Sequence, residues 1–240
     1  MLITIYQHQS VFICGTDFDP GAGASPRPYM IIAIDGPSAS GKSTLGRMLA
    51  RALNLLYLDT GSMYRAVALA TIDNQIDPGD AEAVTDLANR IEIDLEGNPD
   101  SLKVLLAGRD VTERIRKEDV TAMSSVVSVI PGVRRAMVAR QRAMGQRGAV
   151  LNGRDIGTVV FPDADVKFFL TAEPEERAER RYHEDQSATL AQTLAELAER
   201  DKRDSTRTDS PLKVADDAIV VDSTGKNIDQ VFAEMMERIG

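Results

Sequence analysis

The sequence predicts an α/β fold in which a parallel β-sheet forms the middle of three layers. A glycine-rich loop at residues 36–44 lies between an apolar run and a helical pattern. A second apolar run follows that helix, and a strand–helix–strand unit of this length implies a right-handed crossover between parallel strands. At residues 91–106 the apolar period changes to two, which predicts a small antiparallel sheet inserted into the parallel core.

The glycine-rich loop reads GPSASGKST and matches the phosphate-binding pattern G-x-x-x-x-G-K-[ST] in its required setting. Residues 30–34 predict the buried strand before it, and an apolar face within residues 45–53 predicts the helix after it. Gly36 and Gly41 allow the backbone angles and the close approach that a loop around a triphosphate needs. The residues predicted to bind this nucleotide are Gly36, Pro37, Ser38, Ala39, Ser40, Gly41, Lys42, Ser43 and Thr44.

Two side chains of the loop have predicted chemical roles. Lys42 adds a mobile positive charge for the outer phosphates, and the hydroxyl of Ser43 is the predicted ligand for Mg²⁺. The helix that begins near Lys42 also points the positive end of its dipole at the bound anion.

The remaining parallel core is predicted from short apolar runs. These runs lie at residues 55–58, 149–151, 166–170 and 218–221, and each reads as a buried strand. An amphipathic pattern at residues 228–239 predicts a closing helix.

The chain between the predicted core strands at residues 55–58 and 149–151 predicts the inserted domain. A small antiparallel sheet among helices does not belong to a plain parallel core. The predicted elements are helices at residues 63–70 and 84–91, strands at 91–96 and 102–106, a candidate third strand within 107–112, and a helix from Pro131 to about Met144.

Residues 175–200 are predicted to form one highly charged helix, with Leu194 and Leu197 on its apolar face. The functional interpretation is a lid, and the structural one is a surface helix held by i,i+4 pairs such as Glu196–Arg200. Both interpretations stay open for Arg177, Arg180 and Arg181.

Residues 1–29 differ from the rest of the chain, because residues 20–28 form a turn-rich linker of glycine, proline and small residues. We expect this extension to be disordered or to be an artefact of an upstream start site. A regulatory arm is the functional alternative.

The composition narrows the class of protein. The chain has 240 residues and a net charge of −9, which argues against a general nucleic-acid binder. Its single cysteine, Cys14, permits no intrachain disulfide, and no apolar run has the length of a membrane span. With no signal-peptide pattern either, we expect a cytoplasmic protein that does not bind membranes, and we expect a monomer.

A phosphate-binding loop leaves several functions open. A GTPase would need an N-K-x-D element, which the chain lacks. A transport ATPase would need an acidic pair directly after an apolar strand, but the apolar run at 166–170 is followed by Thr171. A small-molecule kinase needs arginines on separate segments to hold a second anionic substrate beside the loop. The candidates for this task are Arg65, Arg134, Arg154, Asp155, Arg200, Arg203, Asp204 and Arg207.

Four runs of residues carry a resemblance to a known family. They are GPSASGKST at 36–44, LDTGSMYR at 58–65, NGRDIGTVVFP at 152–162 and ERDKRD at 199–204. Together they resemble bacterial cytidylate kinase, from about Met30 to the C-terminus.

The resemblance implies a P-loop kinase core with an inserted domain that binds a nucleoside monophosphate (NMP) and with a short helical lid. The implied division is core at 30–62, NMP-binding insertion at 63–148, core at 149–182, lid at 183–207, and the core's last strand and helix at 208–240.

The implied reaction is transfer of the γ-phosphoryl group of ATP to CMP or dCMP, with Mg²⁺. Lys42, Arg154, Asp155 and Arg207 are the implied catalytic residues. The implied acceptor-binding residues are Ser38, Arg65, Arg154 and Arg207 for the phosphate, Ser125, Arg134 and Asp155 for cytosine, Arg200 and Asp204 for the sugar, and Thr60 and Tyr64 for the pocket wall.

Several alternatives stay open at this point. Ser124 competes with Ser125 as the residue that reads the base. Another acceptor, such as UMP, AMP, dTMP or shikimate, would keep the kinase and change its substrate. A non-catalytic ATP-binding regulatory module is the alternative from a different class.

Overall fold

The computed structural model of the chain describes residues 29–240. The predictions for Cys14 and for the N-terminal extension therefore lie outside the described residues, apart from Tyr29.

The main sheet has five parallel strands, which confirms the predicted parallel core. In order across the sheet they are β2 (Leu56–Asp59), β6 (Ala149–Asn152), β1 (Ile31–Asp35), β7 (Val166–Thr171) and β8 (Ile219–Asp222). Its central strand β1 pairs with β6 on one side and with β7 on the other. The helices are α1 (Lys42–Leu53), α2 (Thr60–Asp73), α3 (Ala81–Arg90), α4 (Glu118–Val127), α5 (Pro131–Gly145), α6 (Pro174–Glu184), α7 (Leu190–Thr206) and α8 (Ile228–Ile239).

Two apolar clusters, one on each face of the sheet, make the three layers. Successive side chains of a strand point to opposite faces. Ile32 and Ile34 of β1 accordingly belong to the cluster that contains α1 and α8, whereas Ala33 belongs to the cluster that contains α2 and α5. Full burial of a leucine or isoleucine contributes about 1.5–3 kcal/mol, so both clusters are needed to hold the sheet between its helices.

The inserted segment contains the predicted antiparallel sheet, formed by β3 (Ile93–Glu96), β4 (Lys103–Leu106) and β5 (Arg109–Asp110). Its alternating pattern buries Ile93 and Leu95 while their neighbours face solvent. These side chains join the same cluster as α2, α3 and α5, so the insertion packs directly on the parallel core.

The prediction of one helix over residues 175–200 is wrong, because the structure has two helices there, α6 and α7. Asp185 is extended, with φ of −148°, and its side chain accepts a hydrogen bond from the amide of Ser187. Thr189 then begins α7 with a capping box in which Gln192 is the reciprocal partner. Helix α4 has no counterpart in the sequence predictions.

Candidate functional site

The glycine-rich loop joins β1 to α1 and depends on a close approach to β7. Gly36 has φ of +144°, and a Cβ atom at this position would lie 2.0 Å from the carbonyl oxygen of Leu170. Only glycine fits here, so the start of the loop is set by sterics.

Lys42 is buried at the first turn of α1. Its ammonium group donates to the carbonyl oxygen of Pro37 and, at 3.2 Å, to the hydroxyl of Ser40. Burial, followed by the nearby positive charge of Arg154, lowers the pKa of Lys42 well below its usual value. The fold therefore keeps this cation in an environment that disfavours its charge and that an anion would relieve.

The hydroxyl of Ser43 lies beside the end of β6. It accepts a hydrogen bond from Nδ2 of Asn152 at 3.0 Å. Oδ1 of Asn152 is buried and has no hydrogen-bond partner among the described residues. Thr60 donates to the carbonyl oxygen of Asn152 at 2.8 Å and so fixes the end of this strand.

One cleft of about 400 Å³ runs from the loop to the inserted domain and to α7. Nine basic and four acidic side chains line it, although the whole chain has a net charge of −9. The charge of the cleft thus favours anionic ligands.

A buried ion-pair cluster forms the inner wall of this cleft. Asp155 accepts hydrogen bonds from Arg134 on α5 and, at 3.4 Å, from Arg207 after α7. The guanidinium of Arg134 also stacks over the ring of Tyr64, 5.5 Å from its centroid. Burial raises the pKa of Tyr64 to about 12, so its hydroxyl stays protonated.

A second ion pair links α7 to the loop. Arg154 donates to Asp204 at 2.7 Å and to the hydroxyl of Ser38 at 2.8 Å. Burial alone would raise the pKa of Asp204, but Arg154, with Arg200 and Arg207, outweighs burial and lowers the pKa. Arg200 lies in the same cleft, where burial, followed by repulsion from Arg154, lowers its pKa to about 10.

The remaining predicted side chains line the cleft from the inserted segment and α2. Arg65 is bonded to Asp59 at 3.2 Å, and its buried Nε has no partner within residues 29–240. The hydroxyl of Ser124 donates to the carbonyl oxygen of Thr121 in its own helix at 2.8 Å. Ser125, which also lines the cleft, is left as the more available hydroxyl.

Asp35 fixes the backbone that carries Arg154 and Asp155. Its carboxylate accepts hydrogen bonds from the amides of Ile156 at 2.9 Å and Gly157 at 2.8 Å. These amides begin a π-helical turn, Ile156–Val160. Burial raises the pKa of Asp35 to about 6.

The cleft thus brings together the predicted site residues, apart from Gly36 and Pro37. These two shape the loop from outside the cleft. The sequence predictions gave no role to some of the polar side chains that line it, namely Asp59, Arg116, Thr121, Ser128, Asn152 and Glu184. Asn152 had a signal, because it directly follows the apolar run 149–151 at a strand end.

None of the helices that the structure describes combines the length and the hydropathy that crossing a membrane requires.

The chain is similar to known proteins over most of its length. A sequence model of the cytidylate kinase family matches residues 32–240. A relative named cytidylate kinase, from Solibacter usitatus (strain Ellin6076), is 49% identical over 209 residues, which cover 84% of this chain and 88% of the relative. Another of that name, from Corynebacterium efficiens, is 47% identical over 218 residues, which cover 88% of this chain and 95% of the relative.

Among solved structures, an uncharacterized protein from Eubacterium ventriosum ATCC 27560 matches with a TM-score of 0.52 and 12% identity. The match covers 88% of this chain and 98% of that chain, and it concerns the fold alone.

Proposed function

Because the chain belongs to the cytidylate kinase family, we propose that it transfers the γ-phosphoryl group of ATP to CMP or dCMP. The products are ADP and CDP or dCDP. The observation that carries this proposal is the family match over residues 32–240, which includes both the phosphate-binding loop and the arginine-lined cleft beside it.

The donor is proposed to lie in the glycine-rich loop. An oxygen of the acceptor's phosphate attacks the γ-phosphorus in line, and the bond from that phosphorus to the bridging oxygen of ADP breaks. The acceptor oxygen is already ionised near neutral pH, so positioning and charge neutralisation carry most of the catalysis. Buried Lys42 supports this role, because a phosphate would add negative charge that offsets its burial and the repulsion from Arg154.

The residues around Ser43 fit Mg²⁺. Ser43 is proposed to hold the ion directly, and the unpartnered Oδ1 of Asn152 is an acceptor for a water molecule on it. Bound Mg²⁺ supplies charge neutralisation for the phosphate oxygens of ATP.

The acceptor's phosphate is proposed to bind Arg65, Arg154, Arg207 and Ser38. The guanidinium groups of the three arginines come from three separate segments and line one cleft with the loop. The unpartnered Nε of Arg65 and the contact between Arg154 and Ser38 support this assignment. We propose that Arg154 and Arg207 remain bound through the transfer, since the charge on the phosphates persists.

Cytosine is proposed to bind Asp155, Arg134 and Ser125. The exocyclic amine of cytosine donates to Asp155, while N3 and O2 accept from Arg134 and Ser125. Uracil has an acceptor in place of that amine, which would leave a buried carboxylate opposite an oxygen. Such a mismatch is worth roughly 1–3 kcal/mol in favour of cytosine.

The sugar hydroxyls are proposed to contact Arg200 and Asp204, with Tyr64 and Thr60 on the wall of the pocket. Thr60 acts there through its bond to the end of β6. The division into a core, an NMP-binding insertion at 63–148 and a lid at 183–207 stays a proposal, supported by the separate antiparallel sheet of the insertion. The monomeric state and the cytoplasmic location stay predictions from the sequence.

The test is coupled ADP release from the full chain with ATP, Mg²⁺ and one acceptor at a time. The panel is CMP, dCMP, UMP, AMP, dTMP and shikimate. We expect CMP and dCMP to give the highest kcat/KM. A preference for AMP, dTMP or shikimate would change the substrate, and ATP binding without acceptor-dependent turnover would favour the regulatory module instead.

A further inference from the structure

Helix α7 contacts the phosphate-binding loop through Asp201, a residue to which the proposed chemistry gives no task. Oδ1 of Asp201 accepts a hydrogen bond from the backbone amide of Ser38, with an N···O distance of 3.0 Å. Its Oδ2 accepts from the guanidinium of Arg177 on α6. The side chains of Arg177 and Asp201 are only 9% and 18% exposed, respectively, so this ion pair is largely removed from solvent.

Arg177 holds the same loop residue from its other side. Its Nη1 donates to the carbonyl oxygen of Ser38 at 3.0 Å, and its Nε donates to the carbonyl oxygen of Ala172 at 3.1 Å. Both backbone polar groups of Ser38 are therefore bound, the amide by Asp201 and the carbonyl by Arg177. A partly buried, multiply hydrogen-bonded ion pair fixes geometry more strongly than an exposed one.

A second contact, one helical turn further along α7, reaches the side chain of Ser38. Asp204 binds Arg154, and Arg154 donates to the hydroxyl of Ser38. Residues three apart lie on the same face of a helix. One face of α7 thus holds the backbone of Ser38 directly through Asp201, and through Asp204 it holds the arginine that contacts the Ser38 side chain.

We propose that Arg177 and Asp201 are positioning residues that dock α7 on the loop and place Ser38 for the acceptor's phosphate. The proposal rests on the proposed function for the identity of that acceptor. Ser38 is bound by Arg177 of α6, by Asp201 of α7 and by Arg154. The packing of α7 and the assembly of the acceptor-phosphate site are therefore coupled. The predicted lid boundary at residue 183 separates the two members of the pair, so the pair joins the lid to the core.

The first measurement tests the contact without any substrate. Hydrogen exchange at the Ser38 amide is followed by NMR in the full chain, in the wild type and in Asp201→Ala. We expect exchange to become at least about ten-fold faster in the variant, because a charge-assisted hydrogen bond to this amide is lost.

A matched control is Glu199→Gln on the same helix. Glu199 also forms an ion pair, with Arg203 at 2.8 Å, but its side chain is 74% exposed. This variant should leave the exchange of the Ser38 amide unchanged, and unchanged exchange in Asp201→Ala would overturn the proposal.

The second measurement separates positioning from general stability. In Asp201→Ala we expect the KM for CMP to rise roughly ten-fold. The KM for ATP should change less than about three-fold, because the Ser38 amide is already bound to Asp201 and the donor is left with the amides of residues 39–44. Arg177→Lys keeps the charge and should give a smaller rise, and it replaces Asp201→Ala if that variant does not fold.

An equal rise in both KM values would reduce the pair to a structural role and overturn the proposal. Failure of the wild type to turn over CMP would overturn the proposed function instead. The exchange measurement would then still decide whether Asp201 holds the loop.

Discussion

The two halves of the cleft are built in different ways. The proposed donor half is the glycine-rich loop, whose residues 38–44 line the cleft and whose shape follows from local sterics such as the contact of Gly36 with Leu170. The proposed acceptor half takes its side chains mainly from α2, α5, the end of β6 and the region of α7. Asp155 binds Arg134 and Arg207 there, and Asp204 binds Arg154.

This difference has an energetic consequence. Lys42 is a buried cation close to other positive charges, so an anionic donor relieves an unfavourable environment. On the proposed acceptor side, Arg65, Arg134, Arg154 and Arg207 already have carboxylate partners, so an incoming phosphate or base has to exchange with existing ion pairs. We therefore expect specificity for the acceptor to depend on which ion pairs can be replaced without leaving a buried charge unpaired.

The largest effect is expected on the donor side, with Lys42→Met. Turnover should fall by roughly 10²–10³-fold or more, since a preorganised charge on the transferred group is lost. The melting temperature should stay the same or rise, because burial already disfavours the charge of Lys42. Steady-state kinetics and thermal unfolding check both expectations.

Lys103→Met provides the control for this substitution. Lys103 is exposed on β4 and lies outside the cleft. Near-normal activity in Lys42→Met would remove this lysine from the chemistry.

A smaller effect, confined to the acceptor side, is expected from Asp155→Asn. The side-chain amide of the introduced asparagine can donate to the O4 atom of uracil. The ratio of kcat/KM for CMP to that for UMP should therefore fall by roughly 10–100-fold. The KM for ATP should change little.

Asp204→Asn is the matched comparison, because it removes a carboxylate from the same cleft at the proposed sugar contact. This variant should lower kcat/KM for CMP and for UMP by a similar factor. If Asp155→Asn also lowers kcat/KM equally for both acceptors, Asp155 does not read the base.

The smallest effect on the reaction is expected from Asp35, which acts on stability. Its raised pKa of about 6 means that the folded state holds the proton more tightly than the unfolded chain does. The contribution of Asp35 to the free energy of unfolding should therefore fall by roughly 1–3 kcal/mol as pH rises from about 4 to about 6, and should be constant above that.

Urea unfolding of the wild type and of Asp35→Asn over this range measures the difference in pH dependence. Parallel curves for the two proteins would show that Asp35 titrates normally in the fold.

The sequence predicted the strand, the glycine-rich loop and the helix well, because these elements are contiguous along the chain. The hairpin followed from its strict alternation at residues 91–96. Helix α4 was missed because its buried face contains Ser124 between Val120 and Val127, which weakens the apolar pattern. The break between α6 and α7 depends on the capping box of Thr189 and Gln192 rather than on hydrophobic spacing.

Residue types and the family resemblance could name the side chains that line the rest of the cleft, but they could not predict how these side chains pair. The distances from Arg134 to Asp155 and from Arg177 to Asp201 depend on how helices pack over long stretches of chain. From its spacing, Arg177 could equally have been a surface residue with an i,i+4 partner. Its neighbour Arg180 does have one, Glu176.

The most direct test is a crystal structure of the full chain with CMP and a non-hydrolysable ATP analogue. We predict that the guanidinium groups of Arg65, Arg154 and Arg207 lie at hydrogen-bond distance, about 2.7–3.2 Å, from oxygens of the acceptor's phosphate. The γ-phosphate should lie between that phosphate and the glycine-rich loop. A complex in which these three arginines are far from any phosphorus atom would contradict the proposed arrangement of the two nucleotides.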